Sequence, residues 1–279
     1  MSRPVVTFLS DFGSSDPFVG VCHGVIVRTC PDAAVIHLAH GIEPQSVGQG
    51  SRVLAASVPY LPVGVHMAVV DPGVGSERRA ICLRSADGRL FVGPDNGLLI
   101  AAAEASGGIE LAIEITSSEY MLDSVSRTFH GRDVFAPVSG HLAAGLDPER
   151  LGHAVDPATL VRARELATSM EGTLLTATVQ QLDRFGNIQL SAALADLGER
   201  FESGRRVEVT LGDDSYFATC ARTFADVGRG DLVLYEDSEQ RLSIAINRGN
   251  AGELMDAATL DTVLIEFDPF SPERIRRPP

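Results

Sequence analysis

The chain has 279 residues, 44% of them hydrophobic, enough to fill the cores of one large or two medium domains. Its net charge of −14 is dispersed, with no block of Lys and Arg. This argues against nucleic acid as a partner, because neutralising phosphates takes clustered cations. No apolar run is long enough to span a bilayer. The opening residues lack the charged head, apolar stretch and cleavage site of a signal peptide, so a cytoplasmic protein without membrane contact is expected. Cys22, Cys30, Cys82 and Cys220 form no C-x-x-C pair, which suggests buried free thiols rather than a zinc cluster or disulfide framework.

In chain order, "PVVTFLSDF" reads as a β-branched strand ending in an acid, and "DPFVGVCHGVIVRTCP" as a helix stopped by Pro31. "AAVIHLAH" reads as a second strand, "VGQGSRVLAASVPYLP" as a second helix, and "GVHMAVVDPGVG" as a third strand breaking into a glycine-rich loop. This alternation predicts an α/β domain with a mostly parallel central sheet. Ligands of such sheets sit beyond the carboxyl ends of the strands, where Asp11 and Asp71 fall. "AICLRS", "LFVGPDNG", a helix "LLIAAAEAS" and a helix "HGRDVFAPVSGHLAAG" continue the domain, whereas residues 151–172 carry few strand signals. A boundary is expected near 165–172, giving domains 1–168 and 169–268. Beyond it, β-rich runs joined by Gly, Asp and Asn turns predict a smaller all-β, barrel-like domain, and the Pro- and Arg-rich end a loose tail at 269–279.

The chain lacks a phosphate loop, H-E-x-x-H, G-x-S-x-G and a dinucleotide G-x-G-x-x-G after the first strand. The "DFG" at 11–13 has no preceding glycine-rich loop or "HRD", so a kinase is excluded. What remains is a set of polar residues where apolar runs end, the places where function concentrates. Each also has a plain structural reading. Asp71 before Pro72 suits a turn, His130 an N-cap or core position, Arg78 a solvated surface, and Asn187 and Asn247 ordinary turns.

Taken together, "SDFG", "DPGVGSER", "GPDNG", "TFHGRDVFAP", "DRFGN" and "IAINRGNA" resemble the S-adenosyl-L-methionine (SAM) hydroxide adenosyltransferases, or SAM hydrolases, relatives of the fluorinases and chlorinases. The resemblance covers roughly residues 4 to 265. It implies hydrolysis of SAM to adenosine and L-methionine at ribose C5′, with Asp71, Arg78 and His130 beside the attacking water and neither cofactor nor metal required. It further implies that Asp11 holds the ribose hydroxyls and that Asp16 and Asp183 receive the methionine ammonium. Asn187 and Asn247 would read adenine, Phe224 would pack against it, groups near Arg248 would assist, and Ser238 would meet the methionine carboxylate. In this family the site lies between the N-terminal domain of one subunit and the C-terminal domain of its neighbour in a homotrimer.

The halogenating relatives carry tyrosine at the positions of Asp71 and His130, serine at Gly131, and Ser-Arg-Gly where this chain has Ser238, Glu239 and Gln240. The pattern here points to the water-using branch, while Glu239 would repel a carboxylate if turned inward. The competing readings are a chloride-using halogenase, a SAM- or adenosine-binding protein without turnover, and a metal-dependent phosphoesterase built from Asp11, Asp71, His130 and Asp133.

Overall fold

The run Val5–Ser10 forms β1, and its residues are buried on both faces because successive side chains point to opposite sides of a strand. Val6 and Phe8 enter one apolar cluster with Cys22, Ile26 and Met67, while Leu9 enters another with Leu54, Ala68 and Phe91. A strand covered on both faces reads as a near-continuous apolar run, as this one does apart from Thr7 and Ser10.

The structure, a computed structural model, describes residues 3–269. The chain divides into two units, Met1–Arg164 and Glu165–Pro279. In the first, β1 is followed by α1 (Phe18–Thr29), β2 (Ala34–Ala39), α2 (Val47–Ser57), β3 (Val65–Val69), β4 (Ala80–Ser85), β5 (Leu90–Pro94), α3 (Ile100–Ala105) and β6 (Ile109–Ile115). A single π-helical turn, Gly131–Phe135, runs into α4 (Ala136–Ala143), and β7 (Gly152–Ala154) closes the unit.

The sheet order is β2-β1-β3-β5-β4-β6-β7. Pairings among β2, β1, β3 and β5 are parallel, and those of β4 with β5 and β6, and of β6 with β7, antiparallel. Only β4 and β7 therefore run against the rest, and the α/β domain has the mostly parallel sheet expected. One face is covered by α1 and α4 and the other by α2 and α3.

In the second unit, β8 (Thr168–Glu171), β9 (Leu174–Leu182), β10 (Ile188–Ala193), β11 (Arg206–Leu211), β12 (Asp214–Cys220), β13 (Leu232–Glu236), β14 (Arg241–Ile246), α5 (Ala251–Met255) and β15 (Thr262–Glu266) follow. The order β10-β14-β13-β12-β11-β15-β9 closes on itself through β9–β10 pairing, with β8 added outside. The result is a seven-stranded barrel, closed so that its strands have no free edge. Its filling includes Leu175, Val179, Ile188, Val209, Leu234 and Ile244.

Three details depart from the sequence pattern. Residues 151–172 hold β7 and β8, short strands whose partners β6 and β9 supply the pairing that local composition does not advertise. The β12–β13 pair is parallel within an otherwise antiparallel barrel. The helix expected from His130 begins as a π turn, which widens the backbone where a candidate residue sits. The tail expected at 269–279 lies, beyond Pro269, outside the described residues.

Candidate active site

Strand β3 is buried throughout and ends at Val69; Val70 is still fully buried, and the chain turns at Asp71. The turn is built locally: Val74 N–H donates to the Asp71 carbonyl at 3.2 Å, and the Ser76 hydroxyl to that of Gly73 at 2.6 Å. Gly75 has φ +78°, and a Cβ there would lie 2.4 Å from the Arg127 carbonyl oxygen. Only glycine permits that conformation and approach together. The contact holds the 71–78 loop against the segment leading to His130.

Within this loop Arg78 folds back. Its Nε lies 3.0 and 3.1 Å from the Asp71 oxygens and its Nη2 2.5 Å from Oδ2. The pair is largely desolvated, with side-chain exposures of 10% and 6%, and the guanidinium lies over the Phe135 ring at 5.2 Å. Nη2 also donates to Nδ1 of His130 at 2.8 Å.

A guanidinium has donors only, so His130 Nδ1 must be an unprotonated acceptor and its ring proton must sit on Nε2. Burial, and then the neighbouring Arg78 charge, hold the His130 pKa below its ordinary value although Asp71 and Asp133 oppose this. The imidazole is thus neutral and aims an N–H, while Asp71 keeps lone pairs beyond those used by Arg78. The group offers a donor and an acceptor around one fixed cation.

Two residues of the "GPDNG" motif, whose part sequence reasoning did not assign, hold this loop from outside. Asn96 Nδ2 donates to the Val70 carbonyl at 2.8 Å, immediately before Asp71. The buried Asp95 pairs with Arg79 at 2.6 Å and accepts from Val161 N–H at 2.9 Å, immediately after Arg78. Both flanks of the Asp71–Arg78 loop are therefore pinned. The available signal was the motif itself, an acid and an amide at the end of a strand neighbouring β3.

Gly131, beside His130, packs on Phe12: a Cβ there would stand 2.9 Å from Cζ and 3.2 Å from Cε2 of that ring. Phe12, Phe18 and Phe129 meet edge to face with centroids 5.2–6.2 Å apart, as does Phe12 with Phe8. Asp11 precedes Phe12 and its Oδ2 accepts from Gln45 N–H at 2.9 Å; Asp16 lies on the exposed stretch before α1. Asp133 is withdrawn from this group: fully buried, it accepts from Arg132 at 2.5 Å and Ser126 N–H at 2.8 Å. Among the described residues no group of three or more His, Cys, Asp or Glu is placed to hold a metal ion.

The second unit carries its own cavity, about 480 Å³, lined by Phe185, Asn187, Phe224, Ile246, Asn247 and Arg248. Asp183 shapes its rim, accepting from Phe185 N–H at 2.8 Å, Asn187 N–H at 2.9 Å and Asn187 Nδ2 at 2.7 Å. Asn247 Nδ2 donates to the Val227 carbonyl at 2.8 Å, and Phe224 leans on Tyr235 with centroids 4.9 Å apart. Exposed aromatic faces beside fixed amides suit a flat heterocycle. Ser238 is exposed in the β13–β14 turn, and Glu239 accepts from Gln189 Nε2 at 3.1 Å, which turns one of its oxygens toward that amide.

Comparison with known proteins gives this geometry a context. Residues 6–152 match the SAM hydroxide adenosyltransferase N-terminal domain and residues 177–264 the C-terminal domain of the same family. The chain is 44% identical to an (R)-S-adenosyl-L-methionine hydrolase of Salinispora tropica, covering 94% of this chain and 97% of that one. It is 40% identical to an (R)-S-adenosyl-L-methionine hydrolase of Thermus thermophilus, covering 91% and 95%, and 30% identical to a fluorinase of Actinopolyspora mzabensis, covering 88% and 91%. The crystal structure of an uncharacterized conserved protein from Thermotoga maritima superposes with a TM-score of 0.87 at 34% identity, covering 93% and 99%.

Proposed function

The chain belongs to the SAM hydroxide adenosyltransferase family, and from that premise we propose that it hydrolyses S-adenosyl-L-methionine to adenosine and L-methionine. The observation that carries this reading is the hydrogen-bonded Asp71–Arg78–His130 group at the end of β3, in a chain 40–45% identical to named SAM hydrolases.

The water oxygen forms a bond to ribose C5′ as the C5′–S bond breaks, and the sulfonium sulfur keeps the electron pair. The leaving thioether is neutral and needs no acid. Charge balance requires one proton to be released. His130 Nε2–H orients the water, and the Asp71 carboxylate, the member of the group with free lone pairs, accepts its proton, a role worth about 10² to 10⁴ in rate. Arg78 fixes both partners and favours hydroxide by its charge. Bringing an anionic nucleophile to a cationic carbon in a site with little water removes charge from both, which favours the transition state.

In the same reading Asp11 holds the ribose diol, Asp16 and Asp183 the ammonium group, and Ser238 the carboxylate. Asn187, Asn247 and Arg248 frame the adenine beside Phe224. No metal or cofactor is assigned. The active form is a homotrimer, which sedimentation would test. We place the enzyme in the cytoplasm: its four cysteines are buried free thiols, which suits a reducing compartment, and among the described residues no helix is long and apolar enough to cross a membrane.

The deciding experiment incubates pure protein with SAM and chelator in oxygen-labelled water. Label at the adenosine 5′ oxygen is expected, with Asp71→Asn and His130→Ala each slowing its appearance. A total lack of adenosine, label recovered in methanol, or 5′-chloro-5′-deoxyadenosine formed in chloride buffer would overturn the reading.

A further inference from the structure

Away from the Asp71 group, three imidazoles and a hydroxyl form an unbroken line. Ser10 Oγ lies 2.7 Å from His40 Nδ1, His40 Nε2 lies 2.8 Å from His37 Nδ1, and His37 Nε2 lies 2.9 Å from His23 Nδ1. Ser10 is fully buried at the end of β1, whereas His37 is exposed on β2, the edge strand. His23 is half-buried on α1.

Each contact joins an Nδ1 to the preceding donor, so one tautomer satisfies the whole line: the hydroxyl donates to His40, and every Nε2–H donates outward, ending at His23 Nε2. The same contacts are satisfied with every donor reversed. Such a line also accepts one excess proton without losing a contact, because the Ser10 hydroxyl rotates to accept from His40 while each histidine pair still shares one hydrogen. A second excess proton would place two hydrogens inside a 2.8 or 2.9 Å contact and break it. The charges acting on His37 and His40 come from the other histidines of the line, and Phe8 covers His40 with centroids 4.7 Å apart.

The inner end touches the loop that flanks the active-site group. Phe12 N–H donates to Ser10 Oγ at 3.3 Å, Gly13 N–H to the His40 carbonyl at 2.8 Å, and the Phe12 ring packs on Gly131 beside His130. Ser10 pairs with Val69, two residues before Asp71, and we propose that Ser10, His40, His37 and His23 form a proton relay: a water between the Asp71 carboxylate and Ser10 Oγ hands on the proton released by hydrolysis and the line passes it to solvent, an assignment that rests on the hydrolase reading above. The relay makes and breaks only N–H and O–H bonds, and its net product is one proton delivered to bulk water.

The test uses His37→Gln, which keeps hydrogen-bonding capacity but cannot carry a proton. Without substrate, imidazole NMR titration of the wild type should show the three histidines taking up one shared proton, and the variant should show His23 and His40 titrating separately. Independent titration in the wild type would overturn the relay. With SAM at low buffer capacity, kcat of the variant should fall by up to about 10²-fold, the lower end for a positioned proton-transfer group. KM should stay unchanged, and added imidazole should restore kcat. A wild-type kcat in the variant would overturn the role in turnover. Absence of adenosine from the wild type would overturn the hydrolase reading instead, and the substrate-free titration would still decide whether the relay exists.

Discussion

Gly131 is a position where one methyl group tests the packing beneath the candidate active-site group. A Cβ there would meet Phe12 Cζ at 2.9 Å, Cε2 at 3.2 Å and Phe129 Cε2 at 3.5 Å. The first distance is closer than carbon atoms pack, so Phe12 must move. Its movement is resisted by Phe8, Phe18 and Phe129, which meet its ring edge to face. Overpacking of this kind costs about 1–3 kcal/mol, which for a domain this size lowers Tm by roughly 2–4 °C per kcal/mol. Gly131→Ala should show that loss in thermal unfolding followed by circular dichroism, and Gly131→Ser at least as much. Phe12→Leu, which shortens the obstructing ring, should recover part of it in the double variant, with coupling of about 0.5–3 kcal/mol between the two sites. Additive losses, or a Gly131→Ala melt equal to wild type, would refute the claim that Phe12 sets the space beside His130.

Two further outcomes follow from backbone and charge. Gly75→Ala must place a Cβ 2.4 Å from the Arg127 carbonyl at φ +78°, so it should lower both stability and turnover, whereas Gly88→Ala, also at positive φ but with open space around it, should lower stability alone; equal activity in the two variants would count against the 75–127 contact as the fastening of the loop. His66 is fully buried with Nδ1 on the Thr7 hydroxyl, and burial, then the Arg89 charge, lower its pKa from 6.5 to about 4. The folded state therefore binds the proton less readily than the unfolded chain, so this group's stabilisation is present above pH 6.5 and fades as pH falls toward 4, by about 3 kcal/mol in all. Urea unfolding across that range should show His66→Leu losing correspondingly less stability than wild type, and identical pH slopes would sink the assignment.

Much of the architecture was legible because burial writes a simple pattern. Two-sided burial makes β1 and β3 mostly apolar runs, with Thr7 and His66 inside them bonded to each other, and Pro31 marks the end of α1 closely. Strands whose stability is contributed by a neighbour, such as Gly152–Ala154 and Thr168–Glu171, leave no such trace, since backbone pairing is indifferent to side-chain identity. The candidate site was legible only through family resemblance: Asp71 and Arg78 are near in sequence, but His130 lies 52 residues beyond Arg78, and no spacing rule joins them. The line through His23, His37 and His40 was hidden for a related reason. It crosses from a helix to an edge strand and its following loop, and only the parallel pairing of β1 with β2 brings Ser10 to its end.

The fastening of Val70 by Asn96 and of Arg79 by Asp95 separates the chemistry from the architecture. The side chains of Asp71 and Arg78 lie between those two posts, which keep their own bonds whatever those side chains are, so under the proposed function the reacting groups form a replaceable cartridge in a common housing. If the proposed site is the catalytic one, changes aimed at its reactivity are best confined to Asp71, Arg78 and His130, with Gly75 and Gly131 kept because a Cβ at either meets its neighbours.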